Sequence, residues 1–120
     1  MATVTATLGI NSSNALLDTI NLSLSNSLTT TDPADVGRIT VLHSGPTELA
    51  AASTGAHYAY IKNISSTNSK PVDIRTAAGT AFAQIATGEF AYIPAKVNLG
   101  IELIAIDESV VIEYAIFKKA

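Results

Sequence analysis

The stretch GEFAYIP at residues 88–94 and the closing run LGIELIAIDESVVIEYAIF at residues 99–117 decide the fold. Apolar and polar side chains alternate through both, and alternation with a period of two is typical of half-buried β-strands. Gly88, Pro94 and the adjacent pair Asp107 and Glu108 separate the apolar segments, because such residues favour turns. The region therefore predicts three consecutive strands, of which SVVIEYAIF is the last.

The same alternation recurs upstream, first in TVTATLGI at residues 3–10 and TINLSLS at residues 19–25, which look like partner strands. Further strand patterns follow around residues 38–43, 57–64 and 72–75. About eight short strands with turn signals between them, and no convincing helix, are typical of a β-sandwich or a small barrel. We therefore predict an all-β antiparallel sandwich, with residues 1–120 forming a single domain.

Two segments do not fit the strand pattern. TTTDPADVG at residues 29–37 collects turn-forming residues, so we expect it to be irregular. Residues 46–52 are ambiguous: Thr47 and Glu48 before a run of alanines favour a helical turn, but the run is too short for an independent helix.

The composition narrows the classes of partner. Charged residues make up only 14% of the chain, against roughly 25% in typical soluble domains, and such a surface suits burial in a large assembly. Seven scattered Lys and Arg and a net charge of −3 provide no basic stripe for nucleic acid. There is no membrane-length apolar run and no secretory signal pattern, so we expect neither a membrane partner nor ordinary secretion.

Few residues suggest chemistry, because the chain has no cysteine and no recognisable catalytic motif. His43 and His57 either share a site or are strand-end residues bonded to the backbone, and we favour the second interpretation. Asp32, Asp35 and Glu48 either contribute oxygens to a calcium site or serve as turn and cap residues, which we again favour. We expect no catalytic residue, no metal site and no cofactor.

Aromatic residues occur in pairs two positions apart, Tyr58 with Tyr60 and Phe90 with Tyr92. Each pair places two rings on one face of its strand. That face is either part of the core or a platform for docking or stacking, and we expect core.

Three segments carry a resemblance: HYAYIKNISSTNSKPVDIRT (57–76), FAQIATGEFAYIPA (82–95) and SVVIEYAIF (109–117). Their order is an aromatic strand ending in Lys-Asn, a Val-x-Ile strand, a Gly-Glu-Phe turn leading to Ile-Pro, and a terminal Glu-Tyr strand. This order resembles small virion structural proteins of tailed bacteriophages, particularly those of aquatic and cyanobacterial hosts.

The resemblance implies a jelly-roll-like sandwich that is not an enzyme. It implies a capsid decoration or cement protein, a homo-oligomer with a trimer favoured, bound across subunits of the major capsid protein. The location would be the virion, assembled in the host cytoplasm. The alternative is a tail, neck or fibre component or a host-receptor-binding module, and an unrecognised enzyme ranks below both.

The N-terminal strand is the candidate contact surface. It has a Thr-rich face and an apolar face, and such a strand can add to the edge of a neighbouring sheet. The predicted oligomer or capsid contacts are Ala2, Thr3, Val4, Thr5 and Thr7.

Overall fold

The computed structural model describes residues 2–13, 20–30, 35–52, 55–66 and 70–120. Its strands are β1 (Ala2–Ser12), β2 (Ile20–Thr30), β3 (Asp35–Val41), β4 (Thr47–Ala50), β5 (His57–Asn63), β6 (Val72–Thr76), β7 (Ala81–Ile85), β8 (Phe90–Ala95), β9 (Ile101–Ala105) and β10 (Val110–Lys118). Within these ranges no helix has the length and apolar character needed to cross a membrane.

Eight strands form two four-stranded antiparallel sheets. The front sheet has the order β3-β10-β5-β8, and the back sheet has the order β4-β9-β6-β7. The strands pair in a nested way, β3 with β10, β4 with β9, β5 with β8 and β6 with β7, like one long hairpin wrapped around itself. This is the connectivity of a jelly roll. The prediction of an all-β, jelly-roll-like antiparallel sandwich of about eight strands is therefore confirmed.

The core lies between the two sheets and follows the alternation of the strands. In β5 and β9 every second residue is buried, because successive side chains of a strand point to opposite faces. The apolar residues with no exposed surface are Val41, Ala59, Ile61 and Ile112 from the front sheet and Val72, Ile74 and Leu103 from the back sheet. Burial of each larger aliphatic side chain contributes about 1.5–3 kcal/mol.

Asn63 ties the end of β5 to the neighbouring loops. Its buried Nδ2 donates to the backbone oxygens of Lys70 at 2.7 Å and Ile85 at 3.2 Å. Its Oδ1 accepts from the backbone nitrogen of Ser65 at 3.1 Å and from the Ser65 hydroxyl at 2.7 Å. The backbone N–H of Gly88, at a φ of 82° that favours glycine, donates to the backbone oxygen of Asn63 at 2.9 Å. These bonds fix the turn that leads into β8.

The prediction of a helical turn in residues 46–52 is wrong, because Thr47–Ala50 forms β4 and pairs with β9. The alanine run is too short to nucleate a helix, whereas pairing with β9 satisfies backbone groups and buries Ala50. The prediction of irregular structure over residues 29–37 is also wrong at both ends. Residues 29–30 continue β2 and residues 35–37 begin β3.

Candidate interaction surface

β1 and β2 form a two-stranded antiparallel ribbon, here called the arm, that belongs to neither sheet of the sandwich. The strands pair from Ala2 opposite Thr30 to Ser12 opposite Ile20 without a register shift. Since a strand rises about 3.4 Å per residue, the arm is roughly 37 Å long. The predicted pairing of these two segments is confirmed.

The arm has one polar and one apolar face. The polar rows are Thr3 with Thr29, Thr5 with Ser27 and Thr7 with Ser25. The apolar rows are Val4 with Leu28, Leu8 with Leu24 and Ile10 with Leu22. Both faces follow from the alternation, because directly opposite residues of an antiparallel pair share a face.

The predicted contact residues Ala2, Thr3, Val4, Thr5 and Thr7 all lie on β1. The three threonines are exposed on the polar face, and the hydroxyl of Thr5 lies 3.2 Å from that of Ser27. Val4 is half-buried on the apolar face. The backbone oxygen of Ala2 accepts a bond from the Thr30 hydroxyl at 3.3 Å. The structure brings these residues together, and the molecule they contact stays a prediction.

The base of the arm is attached to the sandwich. Leu28 and Thr30 are buried. Thr30 forms a β-bridge with Lys119, and the backbone N–H of Ala120 donates to the oxygen of Thr29 at 2.8 Å. The outer edge of β2 is therefore occupied at its base by the end of the chain.

The distal half of the arm exposes apolar side chains. Their exposed fractions are 40% for Leu8, 48% for Ile10, 54% for Leu22 and 66% for Leu24. Neither strand of the arm contains a charged residue or a proline. Charges and prolines normally protect exposed strand edges from pairing with other chains, so the arm has the character of a contact surface.

The aromatic pairs lie on the outer face of the front sheet, and the prediction that they are core is wrong. In β5 the core positions are Ala59 and Ile61, so Tyr58 and Tyr60 point the other way. Tyr60 lies directly opposite Tyr92 on β8. The rings of Tyr58 and Tyr92 stack with centroids 5.9 Å apart and an interplanar angle of 26°. The outer face of β5 and β8 is therefore an aromatic surface.

The environment of this surface raises the pKa of two tyrosine hydroxyls. Burial raises the pKa of Tyr60, and the charge of Glu113 and a hydrogen bond to its carboxylate raise it further. The hydroxyl of Tyr60 donates to Oε1 of Glu113 at 3.4 Å. Burial raises the pKa of Tyr92 as well, with a smaller contribution from Tyr58. Both phenols are thus held neutral over a wider pH range than free tyrosine.

The arm and the aromatic surface meet at a cleft of about 410 Å³. Residues of both arm strands and of β8 line it, namely Ala6, Thr7, Leu8, Leu24, Ser25, Asn26, Phe90, Ala91 and Tyr92. Phe90 is 56% exposed. The middle of the arm therefore lies next to the aromatic surface, and Leu8 and Leu24 of its apolar face share the cleft with Phe90 and Tyr92.

The two histidines are far apart. His57 begins β5 opposite Lys118 of β10, whereas His43 follows β3, whose last residue lies opposite Val110 of β10. These rows are eight residues apart along β10, or roughly 26 Å. His43 is exposed, whereas His57 is buried and neither of its ring nitrogens has a hydrogen-bond partner among the described residues. Of the two alternatives, a shared site is excluded, and the expected bond from His57 to the backbone is not found.

Of the three acidic residues considered for calcium, the two that the structure describes lie in different sheets. Asp35 begins β3 in the front sheet, Glu48 lies in β4 of the back sheet, and Asp32 lies outside the described residues. The described part of the chain has no group of three or more potential metal ligands. Ion pairs belong to the sandwich, such as Arg75 with Glu102 at 3.2 Å.

Sequence reasoning missed the exposed leucines of β2, Leu22 and Leu24. The alternation predicts that both leucines lie on the apolar face of β2. It does not predict whether the rest of the chain covers that face. The available signal was the complete absence of charge and proline from both strands.

Comparison of the chain with models of protein families, with curated proteins and with solved structures gives no match in any of the three.

Proposed function

We propose that the chain is a structural protein of a bacteriophage virion, a decoration or cement protein that stabilises the head by binding across subunits of the major capsid protein. Such a protein needs a rigid body and a surface that becomes buried on the shell. A protein that binds only the assembled shell stabilises it by mass action, without any chemistry.

The observation that carries the proposal is the arm. A jelly-roll body bears an uncharged ribbon whose distal leucines and isoleucine are half-exposed. Exposed apolar patches of this kind mark interaction surfaces in soluble proteins. The resemblance to phage virion proteins adds the class of partner, and it favours a homotrimer as the bound unit. Location in the virion, after assembly in the host cytoplasm, belongs to the same proposal.

The character of the arm leads to one expectation about binding. Salt weakens attraction between exposed charges by screening it, but it does not weaken apolar contacts in this way. Because the arm has no charged residue, attachment to the shell is expected to survive high salt. Loss of attachment at moderate ionic strength would instead indicate binding through the charged sandwich.

The first test is quantification of the chain in purified particles of the phage that encodes it. A cement protein follows the symmetry of the shell, so we expect a fixed ratio to the major capsid protein by mass spectrometry. A much lower ratio, with tail or neck components, would support the alternative of a tail or receptor-binding protein. Absence from the particles would reject both.

The second test uses paired variants in the arm. Leu24 and Ser23 are neighbours on β2 that face opposite sides, and both are exposed. Burying a leucine contributes about 1.5–3 kcal/mol, so Leu24→Asp is expected to weaken binding to shells lacking the protein by roughly 10- to 100-fold. Ser23→Asp adds the same charge to the polar face and is expected to bind like the unmodified protein. Equal binding by the two variants would contradict a role for the apolar face.

A further inference from the structure

We infer that two copies of the chain join edge to edge through β1, with Thr7 of one copy directly opposite Thr7 of the other. The two arms then form one antiparallel sheet of four strands, in the order β2-β1-β1-β2. This contact concerns copies of the chain and does not depend on the proposed virion function.

The edges of the arm differ in availability. The outer edge of β2 carries the bridge from Thr30 to Lys119 and the bond from Ala120 to Thr29. No strand of the described part of the chain lies beside the outer edge of β1. β1 is therefore the edge along which another strand can add.

Nothing in β1 opposes such an addition. Edge strands of soluble proteins usually carry a charge, a proline or a bulge that prevents pairing. β1 has no charged residue and no proline, and its pairing with β2 has no bulge. A lone two-stranded ribbon is only marginally stable in water, whereas three or more strands with an apolar face are stable. Addition of a second arm therefore stabilises a ribbon that is only marginally stable in the isolated chain.

The register is set by the alternation. Thr7 is the middle residue of Ala2–Ser12, so pairing about Thr7 uses the whole strand. It places Val4 opposite Ile10 and Ala6 opposite Leu8, while Thr5 meets Gly9 on the polar face. A shift by one residue would bring apolar residues opposite polar ones. A shift by two would keep the faces but shorten the ladder.

This register also matches side-chain size. The exposed Leu8 of one copy lies beside the small Ala6 of the other, and the exposed Ile10 lies beside the half-buried Val4. Across the new sheet, Leu28 and Val4 of one copy continue into Ile10 and Leu22 of the second. The exposed apolar residues thus come to lie next to apolar residues.

The contact is two-fold symmetric, and such an interface closes after two copies. It joins chains in pairs, so the homotrimer proposed above would be held by a separate contact. The pairwise contact uses the edge of the arm and leaves the apolar face open. Edge pairing between copies and binding of another surface by that face are therefore compatible.

Cysteine crosslinking tests the register, because the chain has no cysteine of its own. Directly opposite residues in an antiparallel pair have Cβ atoms about 4.5–5.5 Å apart, close to the separation of roughly 3.5–4.5 Å that a disulfide bridges. Thr7→Cys is expected to form a disulfide-linked dimer on mild oxidation. Thr5→Cys is the matched control on the same face, since the two Thr5 positions lie four residues apart, or roughly 13 Å.

Charge pairing provides an independent readout by sedimentation. Thr7→Lys and Thr7→Glu each place two like charges opposite each other, which destabilises a strand pair, so each variant alone is expected to lose the dimer. An equal mixture of the two is expected to recover it as a heterodimer. The inference is overturned if the two cysteine variants crosslink equally, or if the mixture of charged variants stays monomeric. It is also overturned if the unmodified protein is monomeric, which would indicate that another molecule covers the arm.

Discussion

Replacement of Asn63 by leucine removes the side chain that ties β5 to the loops around it. Leucine has a similar volume, so the change deletes hydrogen bonds more than it changes packing. The backbone oxygen of Ile85 loses its bond in a buried position, while the bonds to Lys70 and Ser65 are partly buried. Water therefore cannot replace the bond to the oxygen of Ile85, but it can replace the bonds to Lys70 and Ser65.

The expected loss follows from that difference. A buried polar group left without a partner costs about 1–3 kcal/mol, and an ordinary hydrogen bond contributes about 0.5–1.5 kcal/mol. One buried oxygen and the partly buried bonds together give a loss of about 3 kcal/mol in the free energy of unfolding. For a chain of this size, such a loss lowers the melting temperature by roughly 10 °C.

The measurement is urea denaturation followed by circular dichroism at one fixed protein concentration. Asn21→Leu is the matched control, because Asn21 is exposed in the arm, and surface substitutions usually change stability by less than about 0.5 kcal/mol. If Asn63→Leu loses less than about 1 kcal/mol relative to that control, the side chain does not hold the loops as argued.

Three further predictions concern the sandwich and the arm. Gly100→Ala places its Cβ 2.9 Å from a backbone oxygen of β4, so it should cost about 1–3 kcal/mol in urea denaturation, unlike Gly45→Ala, whose Cβ meets nothing within 4 Å. Tyr60 has a raised pKa, so its contribution to stability is full below the ordinary tyrosine pKa of 10.0 and is lost above it, because the unfolded phenol ionises first. Tyr60→Phe should flatten the alkaline fall in melting temperature, and an unchanged profile would contradict this. Deletion of residues 2–8 should abolish self-association in sedimentation while melting of the sandwich changes little, since the core cluster contains no residue of β1; a large fall in melting temperature with the oligomer intact would refute it.

The sandwich could be predicted because most of its strands alternate cleanly between apolar and polar residues. Val72 and Ile74 face inward as the alternation requires, and both are completely buried. β4 was missed because an edge strand of only four residues is too short to show a period, and its conformation depends on pairing with β9. Local propensity is a weak guide where tertiary pairing decides.

The aromatic surface shows a second limit. Alternation correctly placed Tyr58 and Tyr60 on one face of β5, but both faces of that strand carry large or apolar residues. Which face of β5 points toward the other sheet depends on the size of the residues that meet between the two sheets. Small and aliphatic residues, Ala59 and Ile61, fill the narrow space between the sheets. The larger rings with polar hydroxyls lie outside, where those hydroxyls reach water or Glu113.

The arm is the feature that the sequence pattern describes least completely, because an exposed amphipathic ribbon and a half-buried strand have the same alternation. Its energetics explain why the difference matters. Full burial of one leucine or isoleucine contributes about 1.5–3 kcal/mol, and four such side chains of the arm retain between 40% and 66% of their exposure. Covering them is therefore worth about 3–6 kcal/mol per copy, a large share of the 5–15 kcal/mol that stabilises a typical domain. Because a partner that binds only the ordered arm also stabilises it by mass action, the order of the arm and the assembly of the protein are one coupled equilibrium.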